Sequence, residues 1–114
     1  MNLIINARES KNVTVLELKG KLTMGAVEAL NEKVKSLIDS GHRALLLDCS
    51  QVSSIDSQGI RVLVRGVVSL EQKGGKLKLL RISPFVREVL GITRLLDVIE
   101  TFDDEAAALQ SFTL

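Results

Sequence analysis

The run ALLLDC, residues 44–49, constrains the fold more than any other feature of this chain. Its four successive aliphatic residues, Ala44 to Leu47, are too uniformly apolar for a strand with one wet face and too short for a buried helix. A run of this kind belongs to a strand in the middle of a sheet with both faces covered, and helical crossovers are the usual cover.

The flanking segments supply the rest of such a sheet. Leu3 and Ile5, then Val13, Val15, Leu16 and Leu18, form two short apolar runs joined by the polar ESKN, which predicts paired strands near the N-terminus. After GKL, Thr23 is positioned to cap a helix whose apolar residues Val27, Leu30, Val34, Leu37 and Ile38 recur at helical spacing and stop before Gly41. Beyond the central strand, Ile60, Leu63, Val64, Val67 and Leu70 predict a second helical stripe, ended by Gly74 and Gly75, and KLKLLRI resumes as a strand. Lys76 and Lys78 alternate there with Leu77 and Leu79, so one face at the start of that strand is expected to be wet, with both lysines in solvent. Ser83 followed by Pro84 marks a helix start, Gly91 its end, VIETF a last strand and DDEAAALQSF a last helix.

The order β-β-α-β-α-β-α-β-α predicts an α/β fold. It has a mixed sheet of about four to five strands and about four helices, antiparallel at its start and parallel later, with the two faces unequally covered. A chain of 114 residues fits one domain, 1–114. No repeat, linker or low-complexity segment interrupts it.

Charge and composition narrow the function. Lys and Arg total 15 against 14 Asp and Glu, with no Trp or Tyr and no basic block, so neither nucleic acid nor a membrane surface is expected as a partner. The start MNLIINARES lacks a basic stretch leading into a sustained apolar run, and no segment reaches the roughly 18 to 20 apolar residues of a span, which predicts a cytoplasmic protein without direct membrane contact. The lone Cys49 and lone His42 exclude an internal disulfide and a zinc site of the usual Cys and His ligands; no cofactor is expected.

The place to look for function is the turn after the central strand, QVSSIDSQG, because functional groups in open α/β sheets gather where loops leave the carboxyl ends of strands. Asp56 or Ser57 capping the next helix, with Gly59 easing the turn, is the plain structural explanation. Two cap candidates side by side, and a glycine that costs up to about 1 kcal/mol in a helix, are more than that explanation needs. A serine hydrolase is disfavoured because the chain has no G-x-S-x-G elbow and nothing brings His42 to Ser57. GGK at 74–76 leads into a strand and lacks the spacing of a phosphate-binding loop. Asp48 and Asp56 form a weak magnesium pair at most.

Ser57 as a phosphoacceptor remains. Phosphorylation at an exposed helix start adds about −1.5 to −2 charges, which the free N–H groups and dipole of the helix tolerate while a docked partner is repelled. A loss of about 2.7 to 4 kcal/mol weakens binding roughly a hundredfold to a thousandfold. Arg61 lies four residues on, available to the phosphate or to an acidic partner.

The run LLLDCSQVSSIDSQGIRVLV, preceded by GKL and its helix and followed by GGKLKLL, SPFVREVLGITRLLDVIE and DDEAAAL, resembles the STAS family, and more narrowly the bacterial anti-sigma factor antagonists. The resemblance covers essentially the whole chain. It implies a non-enzymatic partner switch in transcription regulation. The unphosphorylated protein binds an anti-sigma factor with serine kinase activity and frees a sigma factor. Phosphorylation at Ser57 releases that kinase, and a phosphatase of the metal-dependent serine/threonine class resets the switch. The partner-binding residues it implies are Asp56, Ser57, Gln58, Gly59, Ile60, Arg61, Thr23 and Met24. The sequence departs from the family pattern at Thr23, where an acidic residue is frequent, and at Arg61, where a small residue is common. The alternative is a STAS subunit of a stress-sensing scaffold, or of a transporter or lipid-transport complex, without a phosphorylation switch.

Overall fold

The central aliphatic run lies in strand β3, Ala44–Ile55, in the middle of a five-stranded sheet. In this computed structural model, which describes residues 2–113, the other strands are β1 (Ile4–Ser10), β2 (Val13–Leu22), β4 (Lys76–Leu80) and β5 (Thr101–Phe102), in spatial order β1-β2-β3-β4-β5. Helices α1 (Glu28–Asp39), α2 (Ser57–Gln72), α3 (Pro84–Ile92) and α4 (Glu105–Ser111) alternate with them, and a 3-10 turn spans Leu95–Asp97. β1 and β2 pair antiparallel and the remaining pairs are parallel. Lys11 and Asn12 make the hairpin turn with φ of 52° and 67°, the left-handed pair whose twist suits two antiparallel strands.

Each later crossover advances one strand in the same direction, and such crossovers share one hand, so α1, α2 and α3 fall on one face. Their residues Leu30, Val34, Leu63, Val67, Val86 and Leu90 bury Leu16, Leu45, Leu47, Leu77 and Leu79. On the other face α4 brings Ala108 and Leu109 onto Val13, Val15, Leu46 and Leu80. Strand alternation thus divides the aliphatic run between two cores, which explains why it shows no polar member before Asp48.

Several expectations are corrected by the packing. β3 continues past Cys49 to Ile55, because Gln51, Val52, Ser54 and Ile55 pair with the end of β2 across two register shifts, and Val52 and Ile55 are buried. Thr23 does not cap α1. Residues 24–27 turn first, with Gly25 at φ +88°, and α1 starts at Glu28 without a side-chain cap; the Thr23 carbonyl accepts from the amides of Ala26 and Val27. The buried stripe of α2 is Gly59, Val62, Leu63, Gly66, Val67 and Leu70, leaving Val64 partly in solvent. Two inward glycines carry no side chain, so hydrophobic spacing misjudged the phase of this helix. α3 runs through Gly91 to Ile92, and the last strand shrinks to Thr101–Phe102.

Lys78 is the plainest reversal. Its residue is 5% exposed, on the face that α4 covers. The ammonium donates to the Ser111 carbonyl at 3.1 Å and hydroxyl at 3.0 Å, sits 4.6 Å from the centroid of Phe112 and pairs with Glu100 at 3.1 Å. It closes the C-terminal end of α4. Lys76 does remain in solvent, as expected.

Candidate functional site

β3 delivers the chain to its carboxyl end at Ile55, and the next residue turns it into α2. Asp56 is the N-cap, in extended conformation, and its Oδ1 accepts from the amides of Gln58 at 2.9 Å and Gly59 at 3.1 Å. Its Oδ2 accepts from the Met24 amide at 3.0 Å, and its own N–H donates to the Leu22 carbonyl at 3.1 Å. One aspartate therefore starts α2 and ties the loop after β2 to it. The Met24 bond is the chief cause, with the Gly59 and Gln58 bonds behind it, that holds the Asp56 carboxyl below its ordinary pKa.

Gly59 is required by the same closure. A Cβ there would fall on the Leu22 carbonyl oxygen and lie 2.7 Å from Ile55 Cγ1. The glycine lets the first turn of α2 rest directly on the end of β2, a demand of close approach rather than of backbone conformation.

With the backbone clamped on both sides, Ser57 stands exposed as the first residue of α2. Gln58 is half-buried, Ile60 packs against the main core, and Arg61 is exposed with its guanidinium donating to Gln58 Oε1. Thr23 is half-buried, while Met24 is 77% exposed. The closure thus joins the 56–61 group to Thr23 and Met24 at one end of the sheet. Two features escaped the sequence reading. The Leu22 carbonyl organises the turn yet belongs to no motif, and Val64 and Val68, exposed at 36% and 47%, extend an apolar line from Ile60 along α2. The four-residue spacing of Ile60, Val64 and Val68 was the available signal for the second.

The other chemistries considered find no support in this geometry. His42 lies just before β3, at the opposite end of the strand from Ser57, with Nδ1 2.8 Å from Thr14 Oγ1 and 3.8 Å from a Glu9 oxygen. Asp48 accepts from the Ser50 amide and faces Arg81 at 3.5 Å, whereas Asp56 is spent on backbone amides. Among the described residues no group of three or more His, Cys, Asp or Glu is placed to hold a metal, and no helix is long and apolar enough to cross a membrane.

The STAS domain family matches residues 5–108, nearly all of the strands, helices and turn just described. This chain belongs to the STAS family. Among STAS relatives, BtrV of Bordetella bronchiseptica, described as a candidate anti-sigma factor antagonist, is 30% identical over 83% of this chain and 82% of its own length. The anti-sigma-B factor antagonist of Bacillus subtilis is 28% identical over 88% of this chain and 91% of that protein. The fold of the STAS domain extends to the Bacillus cell fate determinant SpoIIAA in its phosphorylated form, with a TM-score of 0.74, 24% identity and coverage of 95% of this chain and 99% of that one.

Proposed function

We propose that this STAS domain is an anti-sigma factor antagonist whose docking surface is switched off by phosphorylation of Ser57. The observation that carries the reading is an exposed serine hydroxyl on a turn immobilised from both sides by Asp56 and Gly59. A frame held this firmly lets a modification change the surface without unfolding the helix beneath it. Relatives named as anti-sigma factor antagonists support the partner class, and a structural neighbour known in a phosphorylated form supports the switch.

In this reading the partner is an anti-sigma factor that is also a serine kinase. The unphosphorylated domain engages it through Met24, Gln58, Ile60 and Arg61 around Ser57, with Asp56, Gly59 and Thr23 holding the surface in shape, and thereby frees a sigma factor in the cytoplasm. The kinase then transfers the γ-phosphoryl group of ATP to Ser57 Oγ, the hydroxyl proton leaves and ADP is released. The new dianion beside Asp56 repels the partner. A metal-dependent serine/threonine phosphatase hydrolyses the ester and restores the hydroxyl. The domain acts by binding and catalyses nothing itself.

Affinity capture from the native cell extract tests this, with the unmodified protein and Ser57→Asp as parallel baits and bound proteins identified by mass spectrometry. An ATP-binding serine kinase retained by the former and lost by the latter is expected. Retention of one non-kinase partner by both would overturn the switch and favour an assembly subunit.

A further inference from the structure

Most of the amides that ordinarily receive an anion at a helix start are already occupied here. Gln58 and Gly59 donate to Asp56 Oδ1, and Ile60 donates to the Asp56 carbonyl. The first turn of α2 therefore offers a phosphate on Ser57 little beyond the Ser57 amide itself, less than expected from the sequence, and the Asp56 carboxylate next to it repels one. Further compensation has to come from a side chain.

Arg61 is one turn further along α2, and helical side chains lean toward the N-terminus, which brings its guanidinium over the turn that holds Ser57. In the present form it donates to a neutral acceptor, Gln58 Oε1. Hydrogen bonds from a guanidinium to an ionised oxygen are roughly twice as strong as neutral ones, so a phosphate within reach outcompetes the amide. We propose that Arg61 is a state-dependent specificity residue, bound to Gln58 when Ser57 carries a hydroxyl and to the phosphoryl oxygens when Ser57 is phosphorylated. This rests on the phosphoacceptor reading of Ser57. Modification then withdraws a cation from the docking surface as well as adding about two negative charges, so a partner with an acidic patch loses an attraction and gains a repulsion in one step.

The elements meeting at the site carry Asp56 as the cap of α2, Arg61 and Arg65 from α2, Lys21 from the end of β2 and Glu28 from the start of α1. The test uses the full chain with phosphoserine installed at position 57 during translation, and follows the second ionisation of the phosphate by phosphorus NMR. Arg61→Gln is expected to raise that pKa by about half a pH unit, Arg61→Lys to restore part of the difference, and Arg65→Gln to leave it in place. Equal pKa values in the Arg61→Gln and parent chains would overturn the proposal. So would equal responses to Arg61→Gln and Arg65→Gln, which would reveal general screening in place of a specific pair. Because no kinase is used, this result is independent of whether the cell phosphorylates Ser57.

Discussion

The carboxylate of Asp56 accepts a hydrogen bond from the Met24 amide, 3.0 Å away and 32 residues earlier in the chain. The same side chain caps α2, so one residue couples the loop between β2 and α1 to the helix start that displays Ser57. Replacing it removes both connections. Asp56→Ala is expected to lower Tm and to speed amide hydrogen exchange at Met24, Gln58 and Gly59 together, while exchange in β4 is unchanged. Faster exchange in α2 alone would show that the link to Met24 carries no weight.

Gly59→Ala sets two effects against each other. Helix propensity by itself predicts a gain of up to about 1 kcal/mol. The new methyl group meets the Leu22 backbone carbonyl, which cannot move without disturbing the end of β2, and overpacking of this kind costs about 1 to 3 kcal/mol. The clash wins. Urea denaturation should show a net loss of about 1 to 2 kcal/mol, and a more stable variant would refute the close approach.

Lys78→Ala takes the ammonium from the Ser111 carbonyl and from the ring face of Phe112, and removes a buried stem. A loss of roughly 2 to 4 kcal/mol follows from missing packing and an unpaired carbonyl. Hydrogen exchange is expected to rise first in α4, whereas a solvated lysine would leave α4 unaffected.

Acid should weaken the attachment of α4 to β1. Arg8 donates to both oxygens of Glu105, at 3.0 and 2.6 Å, and holds that carboxyl below its ordinary value of 4.5. A carboxyl with a lower pKa in the folded state contributes its full stabilisation above the unfolded value and loses it as pH falls through the folded one. Stability is therefore expected to decline from about pH 4.5 downward. Arg8→Gln should flatten that decline, and an unchanged acid limb in denaturant titrations would exclude the pair as its source.

Burial pushes the Cys49 thiol up to about 12. The thiolate is the reactive species, so alkylation at pH 8 should be negligible in the folded protein and rise with the unfolded fraction in urea. Rapid labelling without denaturant would contradict its place in the core.

Local reading sufficed for the alternation of strands and helices, the central position of Ala44–Cys49, the cap at Ser83 and the turn of Asp56, Ser57 and Gly59 after the central strand, because periodicity, turn chemistry and capping are local properties of the chain. Packing between distant segments settled the rest. It tilted α2 so that two glycines face inward, covered Lys78 with α4, and extended β3 along the end of β2. It also set the Leu22 carbonyl against Gly59, and that single approach explains why a helix-weakening residue stands at the start of α2. Such facts are invisible to local reading because a backbone carbonyl has no sequence signature and a glycine leaves no trace in hydrophobic spacing.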